Sequence, residues 1–180
     1  MADAYRIKDQ HVAYFITLTV IDWVDVFTRK EYKDILIDSL KYCIANKELR
    51  VYEFVIRSNP LHAIVSSDKL PLSDIIRDFK KFTSKQIMEQ IANSNESRKE
   101  WLLKKFAFAG ARNSNNKTYQ FWQQDYHAVE LSYEKIWRQR TDYIHNNPVR
   151  AGIVEFAEDY LYSSARFYYN RKCLIELAPK

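Results

Sequence analysis

A chain of 180 residues that is 47% hydrophobic can bury one substantial core and is short for two, so residues 1–180 read as a single domain. Two glycines leave no Gly-rich phosphate loop and no long flexible linker, which excludes nucleotide binding of the P-loop and Rossmann kinds. The net charge of +5 is compatible with a polyanionic partner and equally with an ordinary lysine-rich surface. Cys43 and Cys173 match no metal or redox spacing and read as packing residues in a reducing compartment. No basic-then-apolar leader opens the chain and no long apolar run follows, so a cytoplasmic protein without a membrane partner is expected.

In chain order, the β-branched and aromatic run from Val12 to Val20 reads as a largely buried strand. Thr28 with Glu31 makes a capping-box start for a helix ending near Asn46, with Tyr32, Ile35, Leu36, Leu40 and Cys43 at helical spacing. Arg50 to Ile56 and Leu61 to Val65 are a second and third strand, joined through the turn-rich Arg57-Ser58-Asn59-Pro60. After Pro71 a long amphipathic helix is predicted to about Ala92. It turns Leu72, Ile75, Ile76, Phe79 and Phe82 inward and Arg77, Lys80, Lys81, Ser84 and Lys85 outward.

Between Lys69 and Lys105 nine Lys/Arg face five Asp/Glu, which gathers most of the surplus charge there. The span from Asn93 to Lys117 reads as a helix or helical turn followed by a mobile Asn/Ser loop. Tyr119 to Gln123 is a short strand candidate, and a helix from about Ser132 is predicted to stop near Asn147, before Pro148 and Gly152. The order β-α-β-β-α-β plus a helix implies an α+β, ferredoxin-like antiparallel sheet with the two long helices on one face and an extra C-terminal segment.

On that last long helix Tyr143 and Asn147 stand four apart and share a face. The pair could present a nucleophile beside a metal, or be a rim residue followed by a turn amide. His62 on its strand is open to the same two readings, ligand or packing residue.

Four stretches then carry a resemblance: Ser58-Asn59-Pro60-Leu61-His62-Ala63-Ile64-Val65, Arg77-Asp78-Phe79-Lys80, Tyr119-Gln120-Phe121-Trp122-Gln123, and Tyr143-Ile144-His145-Asn146-Asn147-Pro148-Val149-Arg150-Ala151-Gly152. From about Val12 to Arg166 the chain resembles the single-tyrosine transposases of the His-hydrophobe-His nuclease superfamily, and within them the REP-associated branch. The resemblance implies a single-stranded or hairpin DNA partner and a monomeric or homodimeric protein. It also implies cleavage and rejoining through a 5′-phosphotyrosine link, with one Mg²⁺ or Mn²⁺ ion polarising the phosphate. Carried over by position, Tyr143 matches the nucleophile, His62 the second metal-binding histidine and Asn147 the amide ligand.

A phenol is a poor nucleophile at neutral pH, so a nearby cation or base is what such chemistry requires. The chain departs from the pattern at Pro60, which stands where the family has its first histidine and offers no ligand. Weakened or absent metal binding follows, with reduced or absent cleavage. The competing reading is a catalytically degenerate DNA-binding descendant. Arg77, Lys80, Lys81, Lys85 and Arg150 are the candidate phosphate contacts. Trp122, Tyr126 and Tyr168 could stack on unpaired bases or serve the core. No role is assigned to His11, His127 or His145.

Overall fold

Ile16 and Leu18 alternate with Phe15 and Thr17 along the first strand, and that alternation decides which helix covers which side of the sheet. The computed structural model describes residues 6–113 and 118–180. Its sheet consists of β1 (Tyr14–Leu18), β2 (Leu49–Ile56), β3 (Leu61–Ser67) and β4 (His127–Glu130) in the order β2-β3-β1-β4, every neighbour antiparallel. The helices are α1 (Lys30–Lys47), α2 (Leu72–Asn93), α3 (Lys99–Ala111), α4 (Glu134–Arg150) and the short α5 (Ala165–Tyr168).

On one side of the sheet Ile16, Leu18, Leu49, Leu61, Ala63 and Val65 meet Leu40 of α1 and Ile75, Ile76 and Phe79 of α2. These side chains are buried and form the main apolar layer. The predicted pair of long helices on one face is therefore observed. The opposite side is covered by α4, whose Tyr143 meets Phe15 edge-on at 5.9 Å and whose Trp137 meets Tyr52 at 5.1 Å.

A bulge in β2 shapes this second layer. Val51 pairs with Val65 but Glu53 pairs with Ile64, so Tyr52 is the extra residue. Tyr52 reaches Ser66 and Glu53 reaches His145, which brings two successive side chains to the α4 side.

β2 would otherwise be an open edge, and the C-terminal segment closes it. Ile56 N–H donates to the Tyr162 carbonyl, Ser164 N–H to the Phe54 carbonyl and Ala178 N–H to the Val51 carbonyl, at 2.9, 2.9 and 2.8 Å. Backbone pairing of this kind hides the donors and acceptors an edge strand exposes.

Several local expectations are corrected. Tyr119 to Gln123 makes only one bridge, Val20 to Trp122, and the fourth strand is His127–Glu130. Gly110 of α3 explains the irregular approach: a Cβ there would lie 2.5 Å from the Tyr119 Cα, so only glycine lets the two backbones come together. Thr28 does not cap α1. That helix begins at Lys30 without a side-chain cap, and the Thr28 hydroxyl accepts from Arg98 at 3.3 Å.

Phe82 is 56% exposed in a groove between α1 and α2 rather than buried. The helix α4 continues past Asn147 to Arg150 with Pro148 inside its last turn, where one missing N–H is tolerated. Gly152, at φ 68°, then makes the stop, its N–H bonded to the Val149 carbonyl at 2.9 Å. The Asn/Ser loop expected after α3 falls largely on residues 114–117, outside the described residues.

Candidate active site

β1 and β3 pair with Thr17 directly opposite His62, so the register alone brings the hydroxyl to the imidazole. Thr17 Oγ1 lies 3.0 Å from His62 Nδ1, and Tyr143 Oη lies 3.5 Å from His62 Nε2. Phe15 stacks on the imidazole at 5.6 Å, and the Tyr143 ring meets it edge-on at 5.1 Å. These contacts fix the ring between the sheet and α4.

Burial, and then the positive charges of Arg57 and Arg140, pull the His62 pKa down to about 4. The imidazole is neutral at physiological pH. In the tautomer that donates Nδ1–H to Thr17 Oγ1, Nε2 is an acceptor facing the phenol. A neutral imidazole beside a tyrosine hydroxyl can take the phenol proton as the oxygen attacks. Both groups come from one chain.

Asn147, one turn beyond Tyr143, is buried, and its Oδ1 has no hydrogen-bond partner among the described residues. It is the one further donor that the expected metal set retains. Pro60 supplies none, and Asn59 is already spent on the loop after β1. Its Oδ1 accepts from Val20 N–H at 3.1 Å, while Nδ2 donates to the Val24 carbonyl at 3.1 Å and the Val20 carbonyl at 3.5 Å.

Two of the remaining histidines have partners elsewhere. His145 Nε2 is 2.7 Å from Glu53, and His11 Nδ1 is 3.4 Å from the Ser67 carbonyl. His127 lies in the same cross-strand row as Thr17 and His62, two strands from His62, roughly 10 Å away between Cα atoms. Among the described residues no group of three His, Cys, Asp or Glu could hold a metal ion. One imidazole nitrogen and one amide oxygen, with no carboxylate, do not fit a resident Mg²⁺ or Mn²⁺.

The candidate DNA contacts separate into different environments. Arg77 pairs with Asp74 at 2.5 Å and with Asp78 at 3.1 Å. Lys80 donates to the Gln123 and Gln124 carbonyls at 2.8 and 3.0 Å, and burial brings its pKa down to about 8. It clamps α2 to the segment before β4. Lys80, Lys81, Ser84 and Lys85 line a groove with Gln120 and Gln123. Lys85 lies 3.9 Å from Glu89, and Arg150 is exposed at the end of α4.

Trp122 is a core residue whose indole N–H donates to Thr83 at 3.1 Å. Tyr126 lies beneath Lys80. Tyr168, 45% exposed, hydrogen-bonds Glu53.

Sequence reasoning passed over Glu53, the most heavily partnered side chain of this layer. Fully buried, its carboxylate accepts from Ser164 at 2.8 Å and Lys180 at 2.9 Å, and also contacts His145, Tyr168 and Thr141. Burial alone would raise its pKa, but the hydrogen bonds and charge of His145, with those of Tyr168 and Lys180, hold it below the ordinary carboxylate value. Thr141 and His145 bracket Tyr143 on α4, so this anchor sets where the tyrosine stands. A glutamate two residues past an alternating apolar start was the available signal. It was hidden by the bulge.

The sheet thus holds a buried imidazole, His62, against a tyrosine of α4, Tyr143. The chain belongs to the IS200-like transposase family, whose model, "Transposase IS200 like", matches residues 9–111. That match includes the His62 strand and ends before α4. Among solved structures the chain is similar to a REP-associated tyrosine transposase bound to a REP hairpin. The likeness has a TM-score of 0.67 at 15% identity and covers 99% of this chain and 93% of that one. The two share the fold. A protein of Deinococcus radiodurans R1 described as a transposase aligns over 78% of this chain and 94% of its own, at 15% identity and a TM-score of 0.46. No curated protein matches the chain.

Proposed function

We propose that residues 1–180 act as one transposase-type domain that binds single-stranded or hairpin DNA and cleaves and rejoins it through Tyr143. The observation that carries this reading is the approach of Tyr143 Oη to His62 Nε2, 3.5 Å, between residues 81 apart in sequence. Family membership supports it, as does a neighbour of the same fold bound to a REP hairpin.

In the proposed step Tyr143 Oη attacks the scissile phosphorus while His62 Nε2 takes the phenol proton. The bond from phosphorus to the 3′ oxygen breaks, and that oxygen takes a proton from solvent and leaves as a 3′-hydroxyl, with the 5′ phosphate on Tyr143. Reversal rejoins the strand. The groove at Lys81 and Lys85, with Lys80 and Arg77 beside it and Arg150 at the far end of α4, is the proposed track for the DNA backbone.

His62 and Asn147 are the two donors through which Mg²⁺ or Mn²⁺ would bind if a third were supplied, and the ion would then stabilise charge on the phosphate. The occupied amide of Asn59 and the proline at 60 favour a second reading, a DNA-binding protein that has lost cleavage.

The test is a labelled oligonucleotide hairpin with a single-stranded flank, incubated with and without Mn²⁺ and analysed under denaturing conditions. A covalent adduct that disappears in Tyr143→Phe supports the nucleophile. Binding without an adduct, restored by Pro60→His with Mn²⁺, supports the second reading. Absence of any DNA binding at moderate salt overturns both.

A further inference from the structure

Two arginines from different elements face the side of the sheet that carries His62. Val55 pairs with His62, and strand alternation puts Arg57, two residues on, on the same side of the sheet, facing α4. The backbone N–H of Arg57 donates to the Pro60 carbonyl at 3.2 Å, so the residue is tied to the turn that lacks the family's first histidine. Arg140 sits on α4, one turn before Tyr143. Its guanidinium lies 4.8 Å from the centre of the Phe15 ring, the same ring that stacks on His62 and meets Tyr143.

In both arginines Nε is buried and has no hydrogen-bond partner. Neither guanidinium has a carboxylate within ion-pair distance among the described residues. Arg29, Arg50, Arg77 and Arg98 each do. A cation held partly out of water without an anion is costly, and the cost is removed when an anion arrives. A planar guanidinium fork matches the oxygens of a phosphate.

We propose that Arg57 and Arg140 form a guanidinium seat for the scissile phosphate over His62 and Tyr143, supplying the positive charge that the family's first histidine and its ion would otherwise bring. The proposal rests on the reading of Tyr143 as nucleophile. The seat takes part in no bond change. It offsets the charge that develops on the phosphoryl oxygens as Tyr143 Oη bonds to phosphorus and the 3′ oxygen departs.

The experiment follows the arginine Nε–H signals of the full chain by NMR in the presence of EDTA while phenyl phosphate is added. The signals are assigned with Arg57→Lys and Arg140→Lys, whose folding is checked by circular dichroism. Saturable shifts of the Arg57 and Arg140 signals, with phosphate affinity falling by about tenfold or more in either lysine variant, are expected. The signal of exposed Arg138 on the same helix should stay unmoved. Shifts no larger than those of Arg138, or lysine variants that bind as the wild type does, overturn the seat.

The hairpin adduct assay, run in EDTA and in Mn²⁺, separates the two readings. An adduct that forms only with Mn²⁺, together with silent arginine signals, overturns the seat and leaves Tyr143 as nucleophile. Saturable arginine shifts with no adduct in either condition keep a phosphate seat and overturn the nucleophile reading.

Discussion

Removing the Glu53 carboxylate tests how α4 is held. In Glu53→Ala, Ser164 and His145 lose their shared acceptor, Lys180 and Tyr168 lose theirs, and a cavity opens beneath α4. Breaking a buried, charge-paired network from one side costs about 3–5 kcal/mol. For a chain of this length that lowers the melting temperature by about 10 °C. Thermal and urea unfolding followed by circular dichroism at neutral pH measure it, and a loss below about 1 kcal/mol would refute the reasoning.

The same carboxylate fixes a sign with pH. Its folded pKa lies below the ordinary value, so its stabilisation is complete above the unfolded pKa and is lost as pH falls through the folded one. The wild type should therefore lose stability on acidification more steeply than Glu53→Ala, and parallel acid limbs would count against the network. Because Thr141 and His145 flank Tyr143, even Glu53→Gln should reduce any Tyr143 adduct with DNA binding kept.

His62, at about 4 when folded against 6.5 otherwise, contributes stability that is complete above pH 6.5 and lost as pH falls toward 4. At 1.36 kcal/mol per pH unit that gap is worth about 3 kcal/mol. His62→Gln should flatten this window, and an imidazole resonance titrating near 6.5 would contradict the buried neutral ring. Asn59→Ala removes the three bonds that hold the loop after β1 and should cost about 2–3 kcal/mol in urea denaturation. An unchanged midpoint would mean that the amide is not structural. Gly110→Ala forces a Cβ against the Tyr119 backbone and should cost about 1–3 kcal/mol. Wild-type stability in that variant would show that α3 can shift freely.

The sheet was legible in the residues where alternation is clean. Phe15 and Thr17 against Ile16 and Leu18, and His62 and Ile64 against Leu61, Ala63 and Val65, put the right side chains on the right faces. Tyr119 to Gln123 misled because aromatic and polar residues alternate there for another reason. Phe121 and Trp122 are buried against Phe27 and Phe106, and Gln120 N–H is bound to the Phe106 carbonyl at 2.9 Å. The observed β4 is four residues long with one buried side chain, too short for a pattern. Phe82 had helical spacing but lines the open groove between α1 and α2, where it stays 56% exposed, and amphipathic spacing does not say where a partner ends.

Tyr143, His62 and Asn147 could be named from one motif and one strand, yet their meeting depends on how far along the sheet α4 is docked. That distance is fixed by residues with no motif. Trp137 lies on Tyr52, and Thr141 and His145 rest on Glu53, so the bulge at Tyr52 sets the height at which Tyr143 meets His62. Arg57 and Arg140 were within reach of simple periodicity, one two residues beyond the strand partner of His62 and the other three residues before Tyr143. They stayed hidden because an arginine at a strand end or on a helix reads as surface until its neighbours are known. Proline at 60 offers no ligand, while two cations face the side of the sheet that carries His62. Restoring histidine at 60 would therefore place an incoming divalent ion in the field of both guanidiniums. If the seat is correct, the combination of Pro60→His with Arg57→Gln or Arg140→Gln should bind Mn²⁺ more tightly than Pro60→His alone, by calorimetry without DNA. Tighter binding in Pro60→His with both arginines intact would contradict that repulsion.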